Sequence, residues 1–195
     1  MEALLIRLNE ICPLSPGLKE HLSSKIRHKE CSKKEDLLRI GQISSHIYFI
    51  EEGLVRGYYD VDGKETCSWF MHDGDFIIAV KSFFLQKISL EGIMTIKPCK
   101  LLYISHAELE ETYKKFPEFN LHGRILLQHY YSLSDDWLQM TRNKTAYERV
   151  AIFFESNGEW VTEIPDGYLA SFLGINQSTL SRMKTEYFFN KGKRK

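Results

Sequence analysis

The residues best suited to chemistry lie near the carboxyl end, within the segment IPDGYLASFLGINQSTLSRMKTE. Four polar side chains fall on one side of a predicted helix there, namely Gln177, Ser178, Ser181 and Arg182. A guanidinium can hold guanine through two hydrogen bonds, and the carboxamide of Gln177 can do the same with adenine. The spacing therefore predicts a helix whose first turns contact base edges in the major groove of DNA.

Two neighbouring residues suit the phosphate backbone rather than the bases. Thr179 and Lys184 flank the four polar residues, and we expect them to contact phosphates together with the free amides at the helix start. A solvated polar helix in a hairpin with no role in DNA binding is the alternative interpretation of the same pattern.

The elements that must position these residues are two helices joined by a tight turn, within residues 166–189. Ala170 is small enough for two helices to cross closely, and Gly174 suits the left-handed conformation that the turn requires. Asn176 is a good N-cap for the second helix. The residues predicted to pack the pair on its support are Leu169, Leu173, Ile175, Leu180 and Met183.

Charge is distributed unevenly although the formal net charge is zero. Residues 142–195 carry nine Lys or Arg against six Asp or Glu, a balance of +3, so the rest of the chain carries −3. From Arg182 onward six positive residues accompany Glu186 alone. A basic end suits a phosphate backbone, although charge runs are often only solvated surface.

A long helix is predicted upstream, opening at Pro117 after a shorter helix that a Ser105–Glu108 capping box begins. Apolar residues recur along the long helix at alternating steps of four and three, among them Leu126, Tyr130, Leu133, Trp137 and Met140. Such a stripe predicts a seam between two copies of the helix. The alternative is a helix that lies on the core of its own domain.

Residues 27–105 contain short β-type runs separated by turn signals, and they predict an antiparallel sandwich or barrel. The segment GYYDVDGKETCSWF has the pattern of a hairpin around Asp62-Gly63. Near the carboxyl end, residues 160–162 are predicted to be extended. The amino-terminal residues MEALLIRLNEI predict an amphipathic helix.

Other classes of protein lack support in the sequence. The four cysteines form no C-x-x-C pair, and the seven histidines are scattered, so neither a metal site nor an iron–sulfur cluster is predicted. Nucleophile motifs of the G-x-S-x-G type are missing, and no apolar run is long enough to span a bilayer. We therefore expect a cytoplasmic protein that is not an enzyme, has no cofactor and does not associate with membranes.

The succession of a β-rich region, a long striped helix and a helix-turn-helix resembles the Crp/Fnr family of bacterial transcription regulators. Three segments carry the resemblance: IYFIEEGLVRGYYDVDGKE, HDGDFI and YLASFLGINQSTLSRMK. It implies an α+β fold with an antiparallel, jelly-roll-like β-roll similar to cyclic-nucleotide-binding domains over 1–115. A dimerisation helix over 116–141 and a helix-turn-helix domain without a wing over 142–195 would follow.

The resemblance implies a homodimer that binds a two-fold-related site in double-stranded DNA. RNA polymerase and an unknown small-molecule effector are further implied partners. The alternative is a sensing or protein-interaction β-roll module whose helix-turn-helix no longer binds DNA.

One departure from the family concerns the effector. Members that bind cyclic AMP carry a Gly-Glu pair and, about ten residues on, an Arg followed by Ser or Thr. Ile78-Ala79 and Ser89-Leu90 stand at these places, so no guanidinium offsets a cyclic phosphate, although Lys81 or Lys87 offers a point charge. Cyclic-nucleotide binding is therefore not expected. Ile78, Ala79, Lys81, Ser89 and Leu90 define a candidate pocket for another effector, such as an apolar one, or for none.

Overall fold

The computed structural model describes the backbone of residues 1–192 and the side chains of residues 1–189. The chain forms two compact units, Met1–His129 and Tyr130–Lys195, with the boundary inside one long helix. In chain order the helices are α1 (Glu2–Ile11), α2 (Pro16–Lys25), α3 (Val80–Leu85), α4 (His106–Lys115), α5 (Phe119–Asn143), α6 (Ala146–Ser156), α7 (Asp166–Leu173) and α8 (Gln177–Gly192).

The first unit is built around two antiparallel sheets of four strands each. The strands are β1 (Arg27–Cys31), β2 (Asp36–Leu38), β3 (His46–Glu52), β4 (Leu54–Val61), β5 (Lys64–His72), β6 (Phe76–Ile77), β7 (Glu91–Thr95) and β8 (Cys99–Ser105). The first sheet has the order β1-β8-β3-β6 and the second the order β2-β7-β4-β5. The predicted α+β class with an antiparallel β-roll is confirmed.

The hairpin predicted around Asp62-Gly63 joins β4 to β5. Both turn residues have positive φ, 55° for Asp62 and 77° for Gly63, which is the backbone that two-residue hairpins with right-handed strand twist require. The carboxylate of Asp60 accepts a hydrogen bond of 2.8 Å from the Gly63 amide and thereby supports the turn.

An apolar core lies between the two sheets and excludes water from the β-roll. Its buried members are Cys31, Leu38, Ile50, Val55, Ile77, Ala79, Ile93, Cys99 and Leu101, with Trp69 and Met71 among the residues packed against them. Cys31 and Cys99 are direct partners across β1 and β8, and both are free thiols. Burial raises the pKa of the Cys31 thiol to about 11.

A second core covers the opposite face of the first sheet. Phe49, Leu102 and Ile104 project from β3 and β8 towards the apolar side of α1 and α2, which supplies Leu4, Leu8, Leu18 and Leu22. The predicted amphipathic helix at the amino terminus is therefore confirmed. The predicted capping box is confirmed as well, because the hydroxyl of Ser105 accepts from the Glu108 amide and the Glu108 carboxylate accepts from the Ser105 amide.

The second unit has a small apolar core. Helix α6 begins at a capping box formed by Thr145 and Glu148. Its Val150, Phe153 and Phe154 are buried, as are Leu169 and Leu173 of α7 and Leu180 of α8.

The extended conformation expected for residues 160–162 is wrong. These residues lie in a 3₁₀ helix, Glu159–Glu163, which follows Gly158 at φ 66°. A hydrogen bond from the hydroxyl of Thr162 to the carbonyl of Glu159, three residues earlier, supports it. The described part of the second unit contains no strand to pair with, so burial of Val161 decides the local structure instead.

Candidate nucleic-acid interface and effector region

The turn between α7 and α8 has the geometry that the sequence predicts. Gly174 adopts φ 67° and ψ 36°, the left-handed conformation. The amide of Ile175 donates to the carbonyl of Ala170 at 3.0 Å, and the Gly174 amide donates to the Ser171 carbonyl at 3.2 Å. These bonds satisfy the carbonyls at the end of α7 and fix the direction in which α8 departs.

Asn176 caps the start of α8 as predicted. Its side-chain oxygen accepts from the amide of Thr179 at 2.7 Å and from the hydroxyl of Ser178 at 2.8 Å. Helix α8 thus begins at an ordered cap, and its first turn carries the positive end of the helix dipole.

Packing of the helix pair follows the predicted apolar positions. Leu169, Leu173 and Leu180 are at most 1% exposed, and Ala170 is also buried. Ile175 and Met183 are half-buried. This packing fixes which side of α8 faces the solvent.

The four residues predicted to read bases are all exposed: Gln177, Ser178, Ser181 and Arg182. Helical spacing places them on the side of α8 away from Leu180. Within residues 1–189, the Arg182 guanidinium has no ion pair or side-chain hydrogen bond. The arrangement presents an uncommitted guanidinium and carboxamide in the first two turns of a capped helix.

Of the two predicted phosphate contacts, Lys184 has a partner within the chain. Its ammonium lies 2.7 Å from a carboxylate oxygen of Asp166, and this ion pair joins α8 to the first turn of α7. Thr179 is half-buried beside the cap. Sequence reasoning missed the ion pair because its members are 18 positions apart on two helices.

Arg149 is a further positioning residue that the sequence did not reveal. Its guanidinium donates to the carbonyl of Leu173 at 3.2 Å and to the carbonyl of Lys144 at 2.9 Å. A cation on the last carbonyls of α7 stabilises the helix end next to the turn. The basic residues Lys193, Arg194 and Lys195 lie outside the described residues.

The five residues of the candidate effector pocket have different surroundings. Ile78 packs on the core under α1 and α2, whereas Ala79 belongs to the core between the sheets. Ser89 is buried, and its hydroxyl bonds to the backbone of Glu91. Lys81 and Leu90 are exposed.

A polar contact within the β-roll was not predicted. The indole of Trp69 donates to the Glu91 carboxylate at 2.6 Å, and the Ser68 hydroxyl donates to the same oxygen at 2.9 Å. Trp69 lies so close to Gly57 that a Cβ there would fall 2.2 Å from its ring. Burial raises the pKa of Glu91, and the two donated hydrogen bonds oppose that shift.

The predicted seam of α5 has mixed surroundings. Leu126 packs against the core of the first unit, and Trp137 stacks on Phe172 with ring centroids 3.9 Å apart. Leu133 is exposed, while Tyr130 and Met140 are half-buried.

Other positions of α5 expose apolar side chains as well. Leu127, Tyr131 and Leu138 are 55%, 75% and 45% exposed.

Among the described residues, no group of three or more His, Cys, Asp or Glu side chains is placed to hold a metal ion. In the same part of the chain, no helix combines the length and apolar character needed to cross a membrane.

Comparison with known proteins identifies the fold. Residues 28–116 match the family model of the cyclic nucleotide-binding domain. Among solved structures, FixK2 from Bradyrhizobium japonicum is 17% identical over 85% of this chain and 86% of its own, with a TM-score of 0.74. The c-di-GMP responsive global regulator CLP from Xanthomonas campestris is 15% identical over 91% of this chain and 93% of its own, with a TM-score of 0.71.

A putative transcriptional regulator of the Crp/Fnr family from Eubacterium rectale is also similar. It is 18% identical over 91% of this chain and 85% of its own, with a TM-score of 0.69. A search of the curated proteins found no match. The chain therefore has the fold of Crp/Fnr-type regulators, and the resemblance seen in the sequence is confirmed at that level.

Proposed function

We propose that this protein is a sequence-specific DNA-binding transcription regulator of the Crp/Fnr type. The observation that carries the proposal is the side of α8 that presents Gln177, Ser181 and Arg182 to solvent from a capped, rigidly packed helix. Such a helix fits the major groove, where Arg182 reads guanine, Gln177 reads adenine, and Ser178 and Ser181 contact neighbouring base edges.

The phosphate backbone would be held by the amides at the start of α8 and by Thr179. Lys184 would also contact a phosphate by giving up its ion pair with Asp166. A phosphate oxygen, like the Asp166 carboxylate oxygen, is a negatively charged acceptor for the ammonium group. These contacts position the helix and carry no sequence information themselves.

The regulator acts as a homodimer through α5 and binds a two-fold-related DNA site. The exposed apolar side chains of that helix support dimerisation, because a monomer would leave them in water. Its domains are the β-roll over 1–115, the dimerisation helix over 116–141 and the DNA-binding domain over 142–195. A cytoplasmic location, an unknown effector and contact with RNA polymerase complete the proposal.

Cyclic AMP is not the effector in this proposal. At the two places where a nucleotide-binding cassette supplies a carboxylate and a guanidinium, Ala79 is packed in the core, and Ser89 is buried with its hydroxyl bonded to the backbone of Glu91. The buried side chain that follows them on β7, Glu91, is a carboxyl group and supplies no cation. A cyclic phosphate would therefore meet no compensating guanidinium at these places.

Selection of DNA sequences from a random pool, followed by titration of the enriched site, tests the function. An enriched palindrome is expected, and Arg182→Ala should weaken its binding by about 1–3 kcal/mol while relaxing specificity at one position of each half-site. Arg182→Lys keeps the charge but loses the two-bond contact, so it should lose specificity with a nearly unchanged salt dependence.

Lys114→Ala is the matched control, because it removes an exposed positive charge from α4 of the first unit. It should leave DNA binding unchanged. Failure to enrich any palindrome would contradict the proposal. The modest net positive charge of residues 142–195 favours a second candidate, a β-roll module that does not bind DNA specifically. Any measured binding to DNA that barely weakens as the salt concentration rises would support this candidate, because true phosphate contacts release counterions.

A further inference from the structure

The exposed side of α8 continues beyond the four residues proposed to read bases. Thr185 follows Ser178 by seven positions, and Phe189 follows Arg182 by seven. Seven residues are close to two helical turns, so the members of each pair leave α8 within about 20° of the same direction. Thr185 is exposed, and Phe189 is 61% exposed. We call Thr185 and Phe189 the distal pair.

The distal pair differs in chemistry from the residues of the first two turns. The hydroxyl of Thr185 donates to the carbonyl of Ser181 at 3.0 Å, within the helix itself. This hydrogen bond directs the polar atom of Thr185 back along α8, so its methyl group is the outer part of an exposed side chain. Phe189 presents an aromatic ring. The reading side of α8 therefore has a polar half followed by an apolar half.

The neighbouring ring of Phe188 has a different role. Its centroid lies 5.5 Å from the ring centroid of Phe154 and 5.2 Å from that of Tyr187, so Phe188 extends the apolar core of the second unit. Successive residues of a helix point about 100° apart. Phe189 therefore leaves α8 in another direction, along the reading side.

Helix α8 is long enough to bring the distal pair to DNA. It spans Gln177–Gly192, a length of about 24 Å, whereas the major groove is about 12 Å wide. Thr185 lies about 12 Å along the axis from Gln177, and Phe189 about 6 Å further. A helix whose first two turns contact bases therefore carries Thr185 over the next base edges and Phe189 to the wall of the groove.

One base offers an apolar group in the major groove. Thymine carries a 5-methyl group there, whereas the edges of the other bases are distinguished by hydrogen-bond donors and acceptors. The methyl group of threonine and the ring of phenylalanine are suited to contact a thymine methyl group. Because the hydroxyl of Thr185 is already bonded to Ser181, its methyl group is the part that meets a base.

We propose that the distal pair makes α8 select thymine, at a base pair beyond those that Gln177 and Arg182 contact. The methyl group of Thr185 packs against the methyl group of thymine, and the ring of Phe189 covers this contact on the side of the groove wall. The inference rests on the proposed function and names one base of the DNA site that this function requires.

Replacement of single thymines by uracil in the selected duplex tests the contact, because it removes the methyl group and keeps every hydrogen-bonding group of the base. At one position of each half-site the wild-type affinity should fall roughly three- to fivefold, the effect expected from the loss of one buried methyl group. The salt dependence should stay the same, since no phosphate contact is lost.

Variants of Thr185 remove the same contact from the side of the protein. Thr185→Ser loses the methyl group and keeps the hydroxyl that bonds to Ser181, so it should bind the thymine and uracil duplexes equally. Thr185→Val keeps a methyl group and loses the hydroxyl, so the preference for thymine should persist. Phe189→Ala should reduce the preference, because water then reaches the contact.

Thr162→Ser is the matched control for the loss of a threonine methyl group. Thr162 is exposed and its hydroxyl also donates to a backbone carbonyl, but it lies in the 3₁₀ helix rather than on α8. This variant should prefer thymine as strongly as the wild type does.

The outcomes separate this inference from the proposed function. Equal binding of the wild type to thymine and uracil duplexes at every position would overturn the inference, while an enriched palindrome would leave the proposed function standing. An undiminished preference for thymine in Thr185→Ser would also overturn the inference. If no palindrome is enriched, the proposed function and the inference both fail.

Discussion

Glu91 is a buried carboxyl group, 8% exposed, that accepts hydrogen bonds from an indole and a hydroxyl. Burial raises its pKa, so the folded state holds a proton on this carboxyl at pH values where the unfolded chain has released it. The contribution of Glu91 to stability is therefore fully present below its unfolded pKa. It is lost as pH rises through the higher folded pKa.

Glu91→Gln should remove this loss. The carboxamide oxygen still accepts from Trp69 and Ser68, whereas no ionisation occurs, so the free energy of unfolding should fall less between about pH 4 and pH 7 than in the wild type. Urea unfolding at a series of pH values, followed by tryptophan fluorescence, measures the difference. Glu30→Gln, which changes an exposed carboxyl of β1, is the control, and matching profiles for all three proteins would refute the assignment.

The turn between α7 and α8 is the element on which the orientation of the candidate DNA-reading residues depends. Gly174 has positive φ, and a Cβ at this position would meet nothing within 4 Å, so the only penalty for a side chain there is conformational. Gly167 lies within α7 at an ordinary helical φ, and its nearest neighbour would be 3.9 Å from a Cβ.

Gly174→Ala should therefore destabilise the protein by about 1 kcal/mol, and Gly167→Ala should stabilise it by up to about 1 kcal/mol, because alanine favours helices. Thermal and urea unfolding of the two variants give the comparison. Equal effects of the two substitutions would show that the left-handed turn carries no conformational cost.

Elements whose signals are local could be predicted from the sequence. The Ser105–Glu108 capping box, the Asp62-Gly63 hairpin and the Gly174 turn each depend on residues a few positions apart, and all three are present. Of the candidate site, the exposure of Arg182 followed from helical spacing alone. Residues 160–162 were mispredicted because three β-type residues need a partner strand that sequence patterns do not reveal.

Contacts between distant positions could not be predicted. The heptad-like pattern of α5 does not show which of its apolar side chains pack against other residues of the same chain. The stacking of Trp137 on Phe172, for example, depends on how α7 packs. The Trp69–Glu91 contact joins β5 to β7, which are not neighbours in the sheet. Such pairings follow from tertiary packing, for which spacing in the sequence gives no signal.

At the scale of the whole molecule, the proposed regulator has an output helix but lacks the usual nucleotide cassette. Cyclic AMP should therefore leave its melting temperature unchanged. A ligand at about a hundred times its dissociation constant would stabilise the native state by about 2.7 kcal/mol, a shift that calorimetry resolves. A duplex carrying the selected site is the positive control, and a cyclic AMP-dependent rise would contradict the proposed loss of nucleotide binding.

The facing thiols of Cys31 and Cys99 have a practical consequence. A thiol reacts as its thiolate, and burial with a pKa of about 11 at Cys31 leaves this form scarce at neutral pH. Because both side chains belong to the core between the sheets, alkylation at these two positions must await opening of that core, while the half-buried Cys12 lies outside it. The rate of modification at Cys31 and Cys99 therefore reports how often the β-roll opens.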